Sequence, residues 1–257
     1  MGKKNFLFLR VVLLVVFWVV ICFTVQSLAS KHSLKTKSPS TVLKVIINGN
    51  NKFVHGHSRG YFLPYQNSQH PILTMITCSD ARVQTNIFTF DPIDKIFVIR
   101  NIGNQIRTSE GSIDYGVLHL HTPILLILGH THCGAIKAAM LNYSNETTGI
   151  VEELDKLHLP LSLAHAQGSF EQRWLKNVQV NVDYQVEFCV KRYAKLIKAG
   201  ELVVVGAVYD FINAYKRGYG RVIITNINGI KDIDKIKKCK ALKKVSKKLR
   251  NIVVDRI

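Results

Sequence analysis

The sequence predicts an α/β fold in which a mostly parallel central sheet is flanked by helices. Short runs rich in Ile, Leu and Val stand at 72–77, 95–99, 124–128 and 202–205; unbroken apolar runs of this length mark strands buried on both faces. Segments long enough for helical crossovers separate them at 109–119, 134–141 and 175–198, with a shorter one at 149–157, as parallel strands require. The last pair of runs differs. Residues 203–207 and 222–225 flank a loop holding Gly218 and Gly220, a hairpin that makes the final strand antiparallel to its neighbour.

Around this core the chain of 257 residues, 47% of them hydrophobic, divides into four parts. Residues 1–29 read as a targeting segment: Lys3, Lys4 and Arg10 precede the uncharged run 11–25, and Ser27, Leu28 and Ala29 have cleavage-site spacing. Export to the periplasm is expected, with a retained membrane anchor over residues 6–28 as the alternative. Residues 30–41 are polar, basic and broken by Pro39, which predicts a linker. A catalytic domain is expected over 42–230 and a basic extension over 231–257.

The formal charge of +18 is concentrated rather than general. Eleven Lys or Arg face three Asp in the last 27 residues, a net +8 there. Leu242, Val245, Leu249 and Ile252 fall at helical spacing among those lysines, which predicts an amphipathic helix docked on its own domain or on a second subunit. An anionic membrane surface is the alternative partner for this tail. No specific nucleic acid is expected, because aromatic residues do not interleave with the basic ones and no recognition motif appears. Five cysteines are too few and too scattered for a disulfide scaffold; Cys22 lies in the leader, Cys189 is read as a buried thiol and Cys239 as a tail thiol.

Chemistry is carried by two clusters, each just after an apolar strand: Cys78-Ser79-Asp80-Ala81-Arg82 and Gly129-His130-Thr131-His132-Cys133-Gly134. Both therefore lie at strand carboxyl ends, where open α/β sheets build their sites. Two thiolates and one imidazole suit Zn2+, and Cys78, His130 and Cys133 stop at three ligands, as catalytic rather than structural zinc sites do. His132 lies between two of them, but at a spacing that turns its side chain away. His119 and His121 precede the strand at its far end and read as structural or surface residues. Asp80 beside Arg82 is held ionised and oriented as a hydrogen-bond acceptor next to the metal.

These motifs resemble the Cys-x-Asp-x-Arg and His-x-x-Cys signatures of β-class carbonic anhydrases. The resemblance runs over roughly residues 45–226. It takes in Gly49-Asn50-Asn51-Lys52-Phe53, Gln69-His70-Pro71, Arg100-Asn101-Ile102-Gly103-Asn104, Gly111-Ser112-Ile113-Asp114-Tyr115 and Gly206-Ala207-Val208-Tyr209-Asp210. It implies a sheet of order 2-1-3-4 plus the antiparallel strand, the metal where strands one and three part, and a homodimer or higher homo-oligomer. Gln69 and Gly134 are then expected to bind substrate, Gln69 across a subunit interface. The implied reaction is zinc-dependent interconversion of carbon dioxide and bicarbonate, with a closed state in which Asp80 itself takes the fourth zinc position. The sequence departs from the family at His121, where Gly is usual, and at Asp114, which replaces Glu. Two rival readings use the same residues: a zinc hydrolase acting on carbon disulfide or carbonyl sulfide, and a non-catalytic, zinc-stabilised module at anionic surfaces. The intact Asp80, Arg82 and Gln69 argue against the second.

Overall fold

A computed structural model describes residues 38–88 and 91–257. The targeting segment and most of the expected linker lie outside them. No helix among the described residues is long and apolar enough to cross a membrane. The chain separates into two compact units that meet at Gln66 and Asn67.

In the first unit, α1 spans Pro39–Gly56 and α2 spans Arg59–Phe62. Pro39, read above as a breaker, is instead the first residue of α1, a position whose N–H would be unpaired anyway. The Ser38 hydroxyl caps the helix by accepting from the Thr41 N–H at 3.3 Å. The helix thus begins three residues before the expected boundary at Val42. None of its residues is buried, and Leu43, Val45, Ile46 and Ile47 are all more than half exposed.

The second unit is built on five strands: β1 Leu73–Cys78, β2 Ile96–Asn101, β3 Ile124–His130, β4 Val203–Asp210 and β5 Arg221–Ile227. Their order is β2-β1-β3-β4-β5, with β5 alone antiparallel to its neighbour. The chain leaves β1 for β2 on one side, then crosses back to β3 on the other. That reversal opens a crevice beyond the carboxyl ends of β1 and β3.

Between β2 and β3 the expected helix 109–119 is a composite. A 3-10 turn at Arg107–Ser109 leads into α3, Glu110–Asp114, and then a π-helical turn at Tyr115–His119. Gly116 sits where a Cβ would come within 2.2 Å of the Thr74 hydroxyl, so the wider turn lies directly on β1. After β3 come α4 Gly134–Ala139, α5 Thr148–Asp155, α6 His158–Ser162, α7 Phe170–Arg192 and α8 Ala194–Ala199. α7 starts five residues before the apolar pattern does. A capping box sets that start, with Ser169 and Gln172 each hydrogen bonded to the other's backbone.

Alternation along the strands sorts side chains onto two faces. Leu125, Ile127, Val204 and Val208 join Val178, Val182 and Val186 of α7 in the larger core, while Met75, Leu126, Leu128 and Ala207 form a smaller one on the opposite face. α7 approaches the sheet so closely that a Cβ on Gly129 would lie 2.6 Å from Val182, and one on Gly206 2.8 Å from Val186.

The basic extension is not one amphipathic helix. It forms α9, Ile233–Lys238, a 3-10 turn at Lys240–Leu242 and α10, Lys247–Val253. Ile236, Leu242 and Val254 are buried with Ile227 in a third core, whereas Leu249, read as part of the apolar face, is 43% exposed. The expected docking on its own domain holds, with Leu242 and Val245 of the expected set packed beside Ile236 and Val254. Arg256 completes it: its guanidinium donates to Asp183 of α7 at 2.6 and 3.0 Å, and Asn226 of β5 donates to the same carboxylate at 2.8 Å.

Candidate metal centre

Cys78 is the last residue of β1 and His130 the last of β3, and the two strands pair in register from Thr74↔Leu125 to Thr77↔Leu128. Cys133 follows after a tight turn in which His132 adopts the left-handed conformation, φ 52°, and it stands at the N-cap of α4. The nitrogen and sulfur donor atoms of Cys78, His130 and Cys133 all lie within 4.8 Å of one another, and all three residues are buried. The two Sγ atoms are 4.0 Å apart, far beyond a disulfide and close to the roughly 3.8 Å separating two thiolates on a tetrahedral zinc.

Protonation agrees with the spacing. His130 Nδ1 lies 3.0 Å from the Thr131 carbonyl, which can only accept, so Nδ1 carries the proton and Nε2 keeps its lone pair. Nε2 is completely buried and has no hydrogen-bond partner among the described residues. A buried acceptor left this way costs roughly 1–3 kcal/mol, which a cation relieves. Their mutual contact pulls the acidities of the two thiols apart. The Cys133 thiol donates to Cys78 and draws it down to about 4 against the opposing effect of burial; the same contact, with burial, pushes Cys133 well up. Two buried cysteine sulfurs and an imidazole whose Nε2 has no other partner form a donor set that fits Zn2+.

Asp80 and Arg82 face this cluster. Arg82 grips the carboxylate as a fork, Nε to Oδ1 at 2.9 Å and Nη2 to Oδ2 at 2.7 Å, and its backbone N–H adds a third bond at 2.9 Å. These bonds pull the Asp80 carboxyl down to about 2. Its Oδ2 lies 3.8 Å from His130 Nε2, too far for a hydrogen bond. Arg82 is steadied in turn by the His132 carbonyl at 3.0 Å and by the Phe211 ring, 4.7 Å from its guanidinium carbon. Phe211 also stacks on the His130 imidazole, with centroids 5.9 Å apart.

Three residues that position this site carry no role in the sequence reading. Arg100 donates to the carbonyls of Cys78, Asp80 and Val83 and so pins the loop after β1; its signal is its place in the Arg-Asn-Ile-Gly-Asn segment. Trp174 donates its indole N–H to the Cys133 carbonyl at 2.9 Å and stacks on His132 at 4.6 Å. Phe211 directly follows the Gly206–Asp210 segment. His132 turns away from the thiols to Glu171, 3.2 Å from its Nε2. His119 and His121 are exposed.

Gly134 opens α4 beside Cys133, and a Cβ there would meet nothing within 4 Å. Gln69 is not brought to the cluster of its own chain. It is exposed in the coil leading into β1, and β1 alone puts about 17 Å, at ~3.3 Å per residue, between that end and Cys78.

Residues 73–215 match the family model described as carbonic anhydrase, a stretch covering more than half of the chain and both loops of the cluster. A carbonic anhydrase of Synechococcus elongatus is 38% identical over 101 residues, which are 36% of this chain and 37% of that one. The match thus spans well under two thirds of that relative's length. Carbonic anhydrase 2 of Mycobacterium tuberculosis is 28% identical over 194 residues, 67% of this chain and 89% of its own. Among solved structures, the β-carbonic anhydrase CcaA superposes with a TM-score of 0.63 at 25% identity over 72% of this chain and 88% of that one. A tetrameric β-carbonic anhydrase of Sordaria macrospora gives 0.61 at 23% identity over 72% and 96%. The order β2-β1-β3-β4-β5, with its thiol and imidazole donors gathered where β1 and β3 part, is the framework on which these likenesses converge, and the chain belongs to the β-class carbonic anhydrase family.

Proposed function

We propose that this protein catalyses the reversible hydration of carbon dioxide to bicarbonate and a proton, with one zinc ion held by Cys78, His130 and Cys133. The observation that carries the reading is a ligand set of three beside a carboxylate already fixed by a guanidinium fork. When bound, zinc supplies a Lewis acid that brings the pKa of a water toward neutrality.

The chain's own residues set the geometry around that water. Asp80, with a pKa of about 2, stays ionised at any working pH and is too weak a base to carry off the proton. Its part is to accept a hydrogen bond and so aim a lone pair of the attacking oxygen at carbon dioxide. Arg82 holds the acceptor in place, and the bare Gly134 leaves room beside Cys133 for a small, linear substrate. For Asp80 to become a fourth zinc ligand, the three bonds from Arg82 would have to break; the present arrangement favours the state open to water.

Gln69 serves substrate binding through a second copy of the chain, since its own β1 holds it at the far end from Cys78. The edge strand β2, where Val98 is 37% exposed, offers a surface for such pairing. The apolar run near the amino terminus supports export as the route by which the enzyme reaches its place of work.

A stopped-flow carbon dioxide hydration assay with metal analysis, comparing the native chain with Cys78→Ser, tests the proposal. The native protein is expected to hold about one zinc per chain and to hydrate carbon dioxide, and Cys78→Ser to lose both. Native protein that holds its zinc yet shows no hydration near pH 8.5, roughly 1.5 units above the pKa of a well-activated zinc water, would overturn it.

A further inference from the structure

The turn that joins His130 to Cys133 runs through His132, whose φ of 52° lies in the left-handed region. A residue with a Cβ seldom enters that region, and it stays there only where its surroundings hold it. The holders come from one helix. Glu171 and Trp174 stand three residues apart on the first two turns of α7 and so share a face. Glu171 Oε2 lies 3.2 Å from His132 Nε2, and the Trp174 ring lies on the His132 imidazole at 4.6 Å with only 9° between their planes.

Trp174 also reaches the ligand itself, its indole N–H donating to the Cys133 carbonyl at 2.9 Å. Trp174 is 7% exposed and Cys133 1%, so no water takes over that bond. The same carbonyl accepts from the Lys137 N–H at 3.0 Å. Removing the indole therefore strands no acceptor; what it removes is orientation. The ring is fixed in turn by Lys137 of α4, whose ammonium stands 5.2 Å over it. These contacts exist because α7 starts early. The capping box of Ser169 and Gln172 extends the helix to Glu171 and Trp174, and a Cβ on Gly168, at φ 97°, would come within 2.4 Å of the Gln172 side chain that completes the box.

We infer that the start of α7 is a clamp on the metal-binding turn, and that Trp174 is a positioning residue that holds Cys133 and the strained His132 in the ligating geometry. The clamp thereby sets how tightly zinc is kept, as the outer partners of metal ligands do. The inference rests on the zinc site proposed above. Trp174 itself offers the metal no donor atom and acts through Cys133 and His132.

Metal-free full-length chain, under reducing conditions, is titrated with zinc against a chelator of known affinity, and urea unfolding is followed on the same metal-free proteins. Trp174→Phe keeps a ring to stack on His132 but has no N–H, and its zinc Kd should rise about tenfold. Trp174→Leu loses both contacts and should rise about 100-fold. Rescue reads the strain. Glycine enters the left-handed region freely, so His132→Gly in the Trp174→Leu background should recover about tenfold of that loss. A tryptophan that served packing alone would lower the urea midpoints and leave the zinc Kd of the folded proteins unchanged. Zinc Kd values for Trp174→Phe and Trp174→Leu both within about threefold of native would overturn the clamp, and so would the lack of recovery with His132→Gly. A native chain that takes up no zinc would overturn the site itself and the clamp with it.

Discussion

Replacing Arg256 by methionine removes a guanidinium from a buried carboxylate while keeping a side chain of similar reach. Asp183 is 5% exposed and takes three hydrogen bonds, two from Arg256 and one from Asn226. The substitution leaves only the neutral amide donor, and it also strips a donor from the Thr225 carbonyl. Breaking one side of a buried pair costs about 3–5 kcal/mol, most of it the penalty of the stranded charge. With a urea dependence of about 2 kcal/mol per molar, the unfolding midpoint should fall by about 2 M. Asp183→Asn in the Arg256→Met background removes the stranded charge and should recover about half the loss. Urea unfolding followed by circular dichroism at fixed protein concentration measures all of this. A midpoint shift below about 0.5 M for Arg256→Met, or a double variant no better than the single one, would refute the view that this pair clamps the basic extension to α7.

Arg82→Lys keeps the charge beside Asp80 but loses the fork; hydration should fall about 10–100-fold with zinc content retained, and full activity in that variant would remove Arg82 from the positioning of Asp80. Asp114 is drawn below the usual carboxylate range, first by the Arg192 guanidinium and then by the Tyr193 hydroxyl, against the opposing effect of burial. Its contribution, about 0.5–1 kcal/mol for a partly exposed pair, is present above the ordinary carboxylate pKa near 4 and is lost as the pH falls through the depressed value. The urea midpoints of native and Asp114→Asn proteins should therefore differ at pH 7 and converge toward pH 2; a gap that widens on acidification would contradict this.

The strands were legible because burial on both faces leaves long apolar runs, and the metal cluster because its motifs directly follow two of those runs. Boundaries set by single polar groups were harder to read. Ser169 and Gln172 start α7 well before its apolar pattern begins, although a Ser-x-x-Gln spacing announces such a cap. The region 109–119 shows one helical period, but the close approach of Gly116 to Thr74 makes it a composite of three turn types, something only the tertiary contact can reveal. In the tail, Leu242, Val245, Leu249 and Ile252 keep helical spacing, yet the chain breaks at Cys239 and again before Ser246 because Ile236, Leu242 and Val254 each reach the sheet from a separate short element. Gln69 is simpler: it stands before the apolar run that Cys78 follows, so the order of residues already puts a strand's length between the two.

Cys78 and Cys133 are 55 residues apart in the chain, and no local segment brings them together. Their meeting depends on β1 lying beside β3, a parallel pairing made across the intervening β2 crossover. Loop closure of that length is among the slower events of folding, so the growing or refolding chain has no high-affinity grip on zinc until the sheet's centre is assembled. Metal uptake should therefore lag behind helix formation and act as a clock for the β1–β3 junction. Once captured, the ion favours the folded state by mass action: the last event of assembly is also the one that makes it hard to reverse.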